Sequence, residues 1–256
     1  MLDIRLIPVL SDNYVYLLRD GATGAVAVVD PGEAEPVAMV LDDLGWRLSH
    51  ILNTHHHADH VAGNEDLKRL SQAPVIGPEA DRHRIPTLDQ GVGEGDTVRV
   101  GSRTARVIAV PGHTSGHIAF WFEADSALFC GDTLFSLGCG RLFEGTPAQM
   151  WDSLQKLRAL PDETRIYCGH EYTAGNARFA LSIDPDNPAL QARAAEVERL
   201  WLAGKPTLPV TLGAEKRANP FLHADDPALA ARLGMAGADP VAVFAETRRR
   251  KDTFRG

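Results

Sequence analysis

Residues 54–60 read Thr54-His55-His56-His57-Ala58-Asp59-His60, and this stretch decides the reading of the chain. It follows the apolar pair Ile51-Leu52, so it leaves the end of a predicted strand. His55 and His57 are two residues apart, and in extended backbone residues two apart project to the same side. Asp59 and His60 follow where the chain is expected to turn toward a helix. The result is three imidazoles and a carboxylate within six residues, a ligand set suited to zinc or iron. The spacing differs from the helical HExxH arrangement, in which two histidines lie one turn apart. A tag is ruled out as the explanation, because the run is internal and broken by Ala58-Asp59. Imidazoles this close repel when protonated and gain nothing structurally without a metal.

Seven residues do not complete a catalytic metal site, so more distant ligands are required. Three segments qualify: Pro111-Gly112-His113-Thr114-Ser115-Gly116-His117, Cys130-Gly131-Asp132-Thr133 and Cys168-Gly169-His170-Glu171. Each follows a predicted strand (Ala105–Val110, Ala127–Phe129 and Arg165–Tyr167) and places a ligand-type residue beside a glycine. There the backbone can turn and aim a side chain into a cleft. Cys130 reads as packed core, and His56 and His117 as lying outside the ligand set. His50, His83 and His223 lack motif context and read as structural or solvated.

Outward from these segments, short β-rich runs bounded by Gly, Pro and Asp fill the first two thirds: Tyr14–Leu18, Ala25–Val29, Ser49–Asn53, Thr97–Val100 and Ile118–Phe122 join those above. Helices are interleaved, one from about Pro36 to Leu44 stopping at Gly45, another capped by Thr146 with Pro147 at its first position. After about residue 174 the texture becomes helical. Asn187-Pro188 opens a helix with Leu190, Ala194, Val197, Leu200 and Trp201 on one face, and Asp226-Pro227 and Asp239-Pro240 are further cap-plus-proline starts. The expectation is an α/β sandwich over residues 1–174 and a small, mainly helical domain over 175–256.

Composition narrows the function classes. The 256 residues are 44% hydrophobic and 23% charged, a globular composition. With 26 Lys+Arg against 34 Asp+Glu, the net charge is −8, which disfavours a general nucleic-acid binder. No apolar run approaches the roughly 18 residues of a membrane span, and the start lacks a signal-peptide pattern. Three scattered cysteines give no disulfide framework, so a reducing, cytoplasmic setting is expected. Nothing calls for an obligate dimer, and the chain reads as a monomer.

The motif His55-x-His57-x-Asp59-His60, with His113, Asp132 and His170 following in order, resembles the metallo-β-lactamase superfamily. Within it the chain is similar to the glyoxalase II (hydroxyacylglutathione hydrolase) family. The further segments that carry this are Ser11-Asp12-Asn13-Tyr14, Cys130–Phe135, Gly138-Cys139-Gly140-Arg141, Glu144-Gly145-Thr146, Cys168–Thr173, Asn219-Pro220-Phe221 and Arg248–Phe254. The resemblance implies an αββα four-layer sandwich followed by the helical C-terminal domain. It also implies two divalent metal ions per chain: zinc, with iron and manganese as alternatives that the same ligands suit. His55, His57 and His113 would bind one ion, Asp59, His60 and His170 the other, and Asp132 would bridge. Asp59 and Asp132 would carry catalytic roles as well as ligation, Asp59 by accepting a hydrogen bond from the attacking water species.

The implied reaction is hydrolysis of S-(2-hydroxyacyl)glutathione, with S-D-lactoylglutathione as the family substrate, to D-lactate and glutathione, the second step of methylglyoxal detoxification. Arg248 and Lys251 match positions that bind the glycine carboxylate of glutathione, and three apart on a helix they share a face. Arg141 and Tyr172 match positions contacting the glutathione moiety. Lys is common in the family where Arg141 stands, and Tyr where Phe143 stands, which removes a hydroxyl donor. The rival reading is the glutathione persulfide dioxygenase branch of the same superfamily, with one iron. The helical C-terminal part and the Arg/Lys pair favour the hydrolase. Nuclease action is disfavoured by the acidic balance, and a non-catalytic role by the complete ligand set.

Overall fold

The computed structural model describes residues 1–256. The chain forms two compact units: Met1–Ala109 with Ser115–Gly131, and Val110–Thr114 with Asp132–Gly256.

In the first unit, Leu2–Val9, Asn13–Asp20 and Val26–Val29 pair antiparallel, and Leu48–Leu52, Val75–Pro78 and Gln90–Val92 extend the sheet in parallel register. Asn13–Asp20 is buried on both faces, because each face packs on a different layer. Val15 and Leu17 join Val28, Ile51 and the helix residues Val37, Leu41 and Leu67 in one apolar cluster. Tyr16, on the opposite face, meets Phe129 edge-on at 5.6 Å. Phe129 belongs to a second, antiparallel set of strands: Thr97–Val100, Arg103–Ala109, Ile118–Phe122 and Ala127–Gly131. The helices Glu35–Leu44 and Asn64–Ser71 cover the first sheet through that apolar cluster. Gly45 ends the former in left-handed geometry (φ 63°), and its N–H donates to the carbonyls of Leu41 and Asp42.

The second unit is mainly helical: Pro147–Arg158, Thr173–Ile183, Pro188–Leu202, Leu212–Ala218, Pro227–Arg232 and Pro240–Thr253. Thr146 forms a full capping box with Gln149, and Asn187, Asp226 and Asp239 cap their helices. Arg165–Cys168 pairs antiparallel with Val210–Thr211, and Leu134–Phe135 forms a small hairpin with Gly138–Cys139. Glu215 anchors that hairpin from the helix below. Its fully buried carboxylate accepts from Ser136 Oγ (2.8 Å), Leu137 N–H (2.7 Å) and Asn219 Nδ2 (3.0 Å). Asn219 Nδ2 also donates to the carbonyls of Phe135 and Gly138. Burial raises the Glu215 pKa, against the opposing pull of these donors.

Every expected strand and helix is present. The strands Leu2–Val9, Val75–Pro78, Gln90–Val92, Leu134–Phe135, Gly138–Cys139 and Val210–Thr211 and the helices Asn64–Ser71, Thr173–Ile183 and Leu212–Ala218 are additional to those expected.

Candidate metal centre

In the first unit the ligand-type residues leave the carboxyl end of Leu48–Leu52. His55 is fully buried, and its Nε2 lies 3.0 Å from His57 Nδ1. His57 sits at the N-terminus of the short helix Ala58–Val61, which carries Asp59 and the buried His60. His60 Nε2 is 3.4 Å from Asp59 Oδ2. Asn13 Nδ2 donates to the same Asp59 oxygen at 2.9 Å and to the Asp59 carbonyl at 3.3 Å. The Ser11–Tyr14 segment thereby orients Asp59.

In the second unit, Asp132 Oδ2 lies 3.4 Å from His113 Nε2 and 3.2 Å from His170 Nε2. All three are nearly buried. His113 Nδ1 faces the carbonyl of Arg141 at 2.9 Å. With the proton on Nδ1, the lone pair stands on Nε2, toward Asp132. Gly140 lets the chain pass this close, since a Cβ there would stand 1.9 Å from the Asp132 carbonyl oxygen. The ring of Tyr172 stacks on His170 at 4.7 Å and 5°. Phe143, whose side chain is exposed, places its ring at 5.1 Å from that of His113.

These arrangements fit divalent metal ions. Two donors at about 2.0–2.1 Å from one tetrahedral zinc are separated by about 3.3 Å. The spacings of 3.0 Å (His55–His57), 3.2 Å (Asp132–His170) and 3.4 Å (Asp132–His113) are near that value.

The substrate-type residues lie in the second unit. Arg248 is 5% exposed. Its guanidinium donates to the Cys139 carbonyl (2.8 Å), pairs with Asp252 (2.8 Å) and lies 5.1 Å over Phe221. Lys251 Nζ donates to the Gly175 carbonyl at 3.0 Å and lies over Phe179 and Phe254. Burial, then the positive charges of Arg248, Arg178 and Arg141, bring the Lys251 pKa down to about 8. Arg141 Nε reaches Asp252 at 4.0 Å. A carboxylate placed beside a lysine crowded by three guanidiniums would relieve the repulsion.

Sequence reasoning missed several supporting residues. Asp30, in left-handed backbone geometry (φ 51°), accepts from Thr54 N–H and Oγ1 at 2.7 Å and lies 3.2 Å from His60 Nδ1. Its position after Val26–Val29, in Asp30-Pro31-Gly32, was the available signal. His117 stacks on His55 at 4.6 Å and 17°. Arg178 joins the cationic group, and nothing local in the sequence marks it. The three cysteines are buried and form no disulfide.

Mixed sheets flanked by helices, buried His/Asp ligand clusters and a helical C-terminal part define an α/β metalloenzyme of the metallo-β-lactamase type. The metallo-β-lactamase superfamily model matches residues 10–170, and the hydroxyacylglutathione hydrolase C-terminus model matches 171–254. A hydroxyacylglutathione hydrolase of Rhodospirillum rubrum is 60% identical over 253 residues, covering 99% of each chain. Among solved structures, ETHE1 from Myxococcus xanthus matches with a TM-score of 0.67 at 27% identity, covering 98% of this chain and 90% of its own. TTHA1623 in a di-iron-bound form matches with a TM-score of 0.61 at 27% identity, covering 84% and 98%. The chain belongs to the hydroxyacylglutathione hydrolase family of the metallo-β-lactamase superfamily. No helix is long and apolar enough to cross a membrane.

Proposed function

We propose that this chain hydrolyses the thioester of S-(2-hydroxyacyl)glutathione, with S-D-lactoylglutathione as substrate, giving D-lactate and glutathione as the second step of methylglyoxal detoxification. One observation carries the reading: Arg141 joins a ligand to an anion-binding cluster. Its carbonyl faces His113, while its side chain reaches Asp252 beside Arg248 and Lys251. The 60% identical hydroxyacylglutathione hydrolase and the matching C-terminal family model support it.

The proposed centre takes two divalent ions, zinc first and iron or manganese as alternatives. His55, His57 and His113 would hold one, Asp59, His60 and His170 the other, and Asp132 would serve both. The single Asp132 oxygen facing His113 and His170 supports the bridge, as does the di-iron state of one structural neighbour. Such ions supply a Lewis acid and lower the pKa of bound water toward about 7.

The chain's own residues do the rest. Asp59, held by Asn13, accepts a hydrogen bond from the attacking water and aims it at the thioester carbonyl. Arg248 and Lys251 grip the glycine carboxylate of glutathione, with Arg178 adding positive charge. Arg141, Phe143 and Tyr172 border the peptide between that carboxylate and the thioester. The leaving thiolate, with a pKa near about 8.5, departs without a strong general acid. Residues 1–174 form the catalytic domain and 175–256 the glutathione-binding domain of a cytoplasmic monomer that takes no nucleic acid.

The test is loss of thioester absorbance with purified protein reconstituted with zinc, iron or manganese. Absence of turnover with all three overturns the proposal. Asp132→Ala is expected to lose binuclear metal stoichiometry and activity together, and full activity in that variant removes the bridging role.

A further inference from the structure

Asp81 lies outside both the ligand set and the cationic cluster, yet it touches the two segments that hold His55. It closes the short turn Glu79–Asp81 after the strand Val75–Pro78, and it is fully buried. A buried carboxylate requires charged or hydrogen-bonding partners. One Asp81 oxygen takes Arg84 Nη2, and the other lies 3.1 Å from His56 Nδ1. Arg84 Nη2 also donates to Ser115 Oγ at 3.1 Å. Gly116 packs so closely that a Cβ there would stand 2.3 Å from Asp81 Oδ1. The next residue, His117, stacks on His55.

His56 sits between the ligands His55 and His57. Its ring lies 4.9 Å from that of His57 and 6.4 Å from that of His55, so anchoring His56 fixes one side of the segment that carries both ligands. The Gly116 contact fixes the second side, because it sets the height at which His117 supports the His55 ring. We infer that Asp81 is a positioning residue of the metal centre, acting through His56 and the 115–117 turn to hold the 3.0 Å His55–His57 pair. The inference rests on the proposed ligand roles of His55 and His57 but not on the proposed substrate.

The test compares Asp81→Asn with Asp20→Asn, using zinc affinity by chelator competition, the visible spectrum of the cobalt-loaded protein and thermal melting. Asp20 is a fully buried carboxylate of the same unit whose partners, Ser102, Thr23 and Arg103, are remote in sequence from the ligands. It therefore reports the consequence of disturbing a buried carboxylate alone. Loss of an outer-shell partner typically lowers metal affinity by about 10–100-fold. The expected result is a loss of that size and an altered cobalt spectrum for Asp81→Asn, with wild-type affinity for Asp20→Asn even where its melting temperature falls further. Wild-type affinity in Asp81→Asn, or a loss matched by Asp20→Asn, overturns the inference. If Asp81→Asn does not fold, His56→Asn, which leaves Arg84 on the carboxylate, is judged by the same criteria. A wild-type protein that binds no metal overturns the ligand assignment and this inference together.

Discussion

Replacing Lys251 by Gln tests how the charge of the proposed anion site is used. The ammonium works against its surroundings: burial and three neighbouring guanidiniums hold its pKa at about 8, against an ordinary 10.5. A substrate carboxylate reverses that balance, raises the pKa of the bound state and makes binding take up a proton above pH about 8. A charge-assisted hydrogen bond to a carboxylate contributes about 1.5–3 kcal/mol, so Lys251→Gln is expected to raise KM roughly 10–150-fold near pH 7. In the proposed reaction the glycine carboxylate of glutathione keeps its charge throughout, so its interaction with Lys251 is equal in ground and transition states. kcat is therefore expected to stay within about threefold. The wild-type KM should be flat below pH 8 and climb by up to about tenfold per pH unit above it, toward the variant's value. Taking the variant-to-wild-type ratio at each pH removes titration of the substrate's own amine. A variant whose KM equals that of wild type from pH 6 to 10, or whose kcat falls at constant KM, refutes the reasoning. The same shift acts on stability with a definite sign. Between pH 8 and 10.5 the unfolded chain holds a proton that the folded chain does not, so the Lys251 contribution to stability rises with pH there.

Phe143→Tyr restores a hydroxyl donor beside His113 and should lower KM by up to about tenfold, the value of one hydrogen bond; an unchanged KM for the glutathione thioester removes Phe143 from the substrate surface. Gly140→Ala forces a Cβ against the Asp132 carbonyl. It is expected to destabilise by about 1–3 kcal/mol and to reduce metal content, read by thermal melting and elemental analysis. Glu215→Gln sets an amide N–H against donors that the carboxylate accepts, with an expected loss of about 1–3 kcal/mol in denaturant unfolding. Because burial raises the Glu215 pKa, its contribution to wild-type stability falls as pH rises from the ordinary carboxylate value through the folded-state value. The variant should lack that component of the pH profile.

Much of the fold is legible because its signals are local. Val26–Val29, Ile118–Phe122 and Ala127–Gly131 are short apolar runs closed by turn residues, and Gly45, Thr146, Asn187 and Asp239 mark helix ends through caps that the structure contains. The missed elements lack such signals. Leu2–Val9 includes Asp3, Arg5 and Pro8, and it owes its strand conformation to eight paired positions on Asn13–Asp20. Asn64–Ser71 buries only Asn64 and Leu67, too few to print a helical period. At the candidate site, the ligand types are legible because few side chains bind metals and each stands beside a strand end or a glycine. Asp30, His117 and Asp81 are not, because their roles exist only through contacts 24, 62 and 25 residues away.

By itself, then, the sequence determined the chemistry at hand: imidazoles and carboxylates in strand-end motifs, and cations gathered near the C-terminus. These follow from residue type and short-range periodicity, which a linear string preserves. Only the tertiary structure decided that Asp132 turns one oxygen toward both His113 and His170, that Asn13 aims Asp59, and that burial among guanidiniums brings Lys251 to about pH 8. Direction, separation and desolvation arise from packing between distant segments, and no window of sequence contains them.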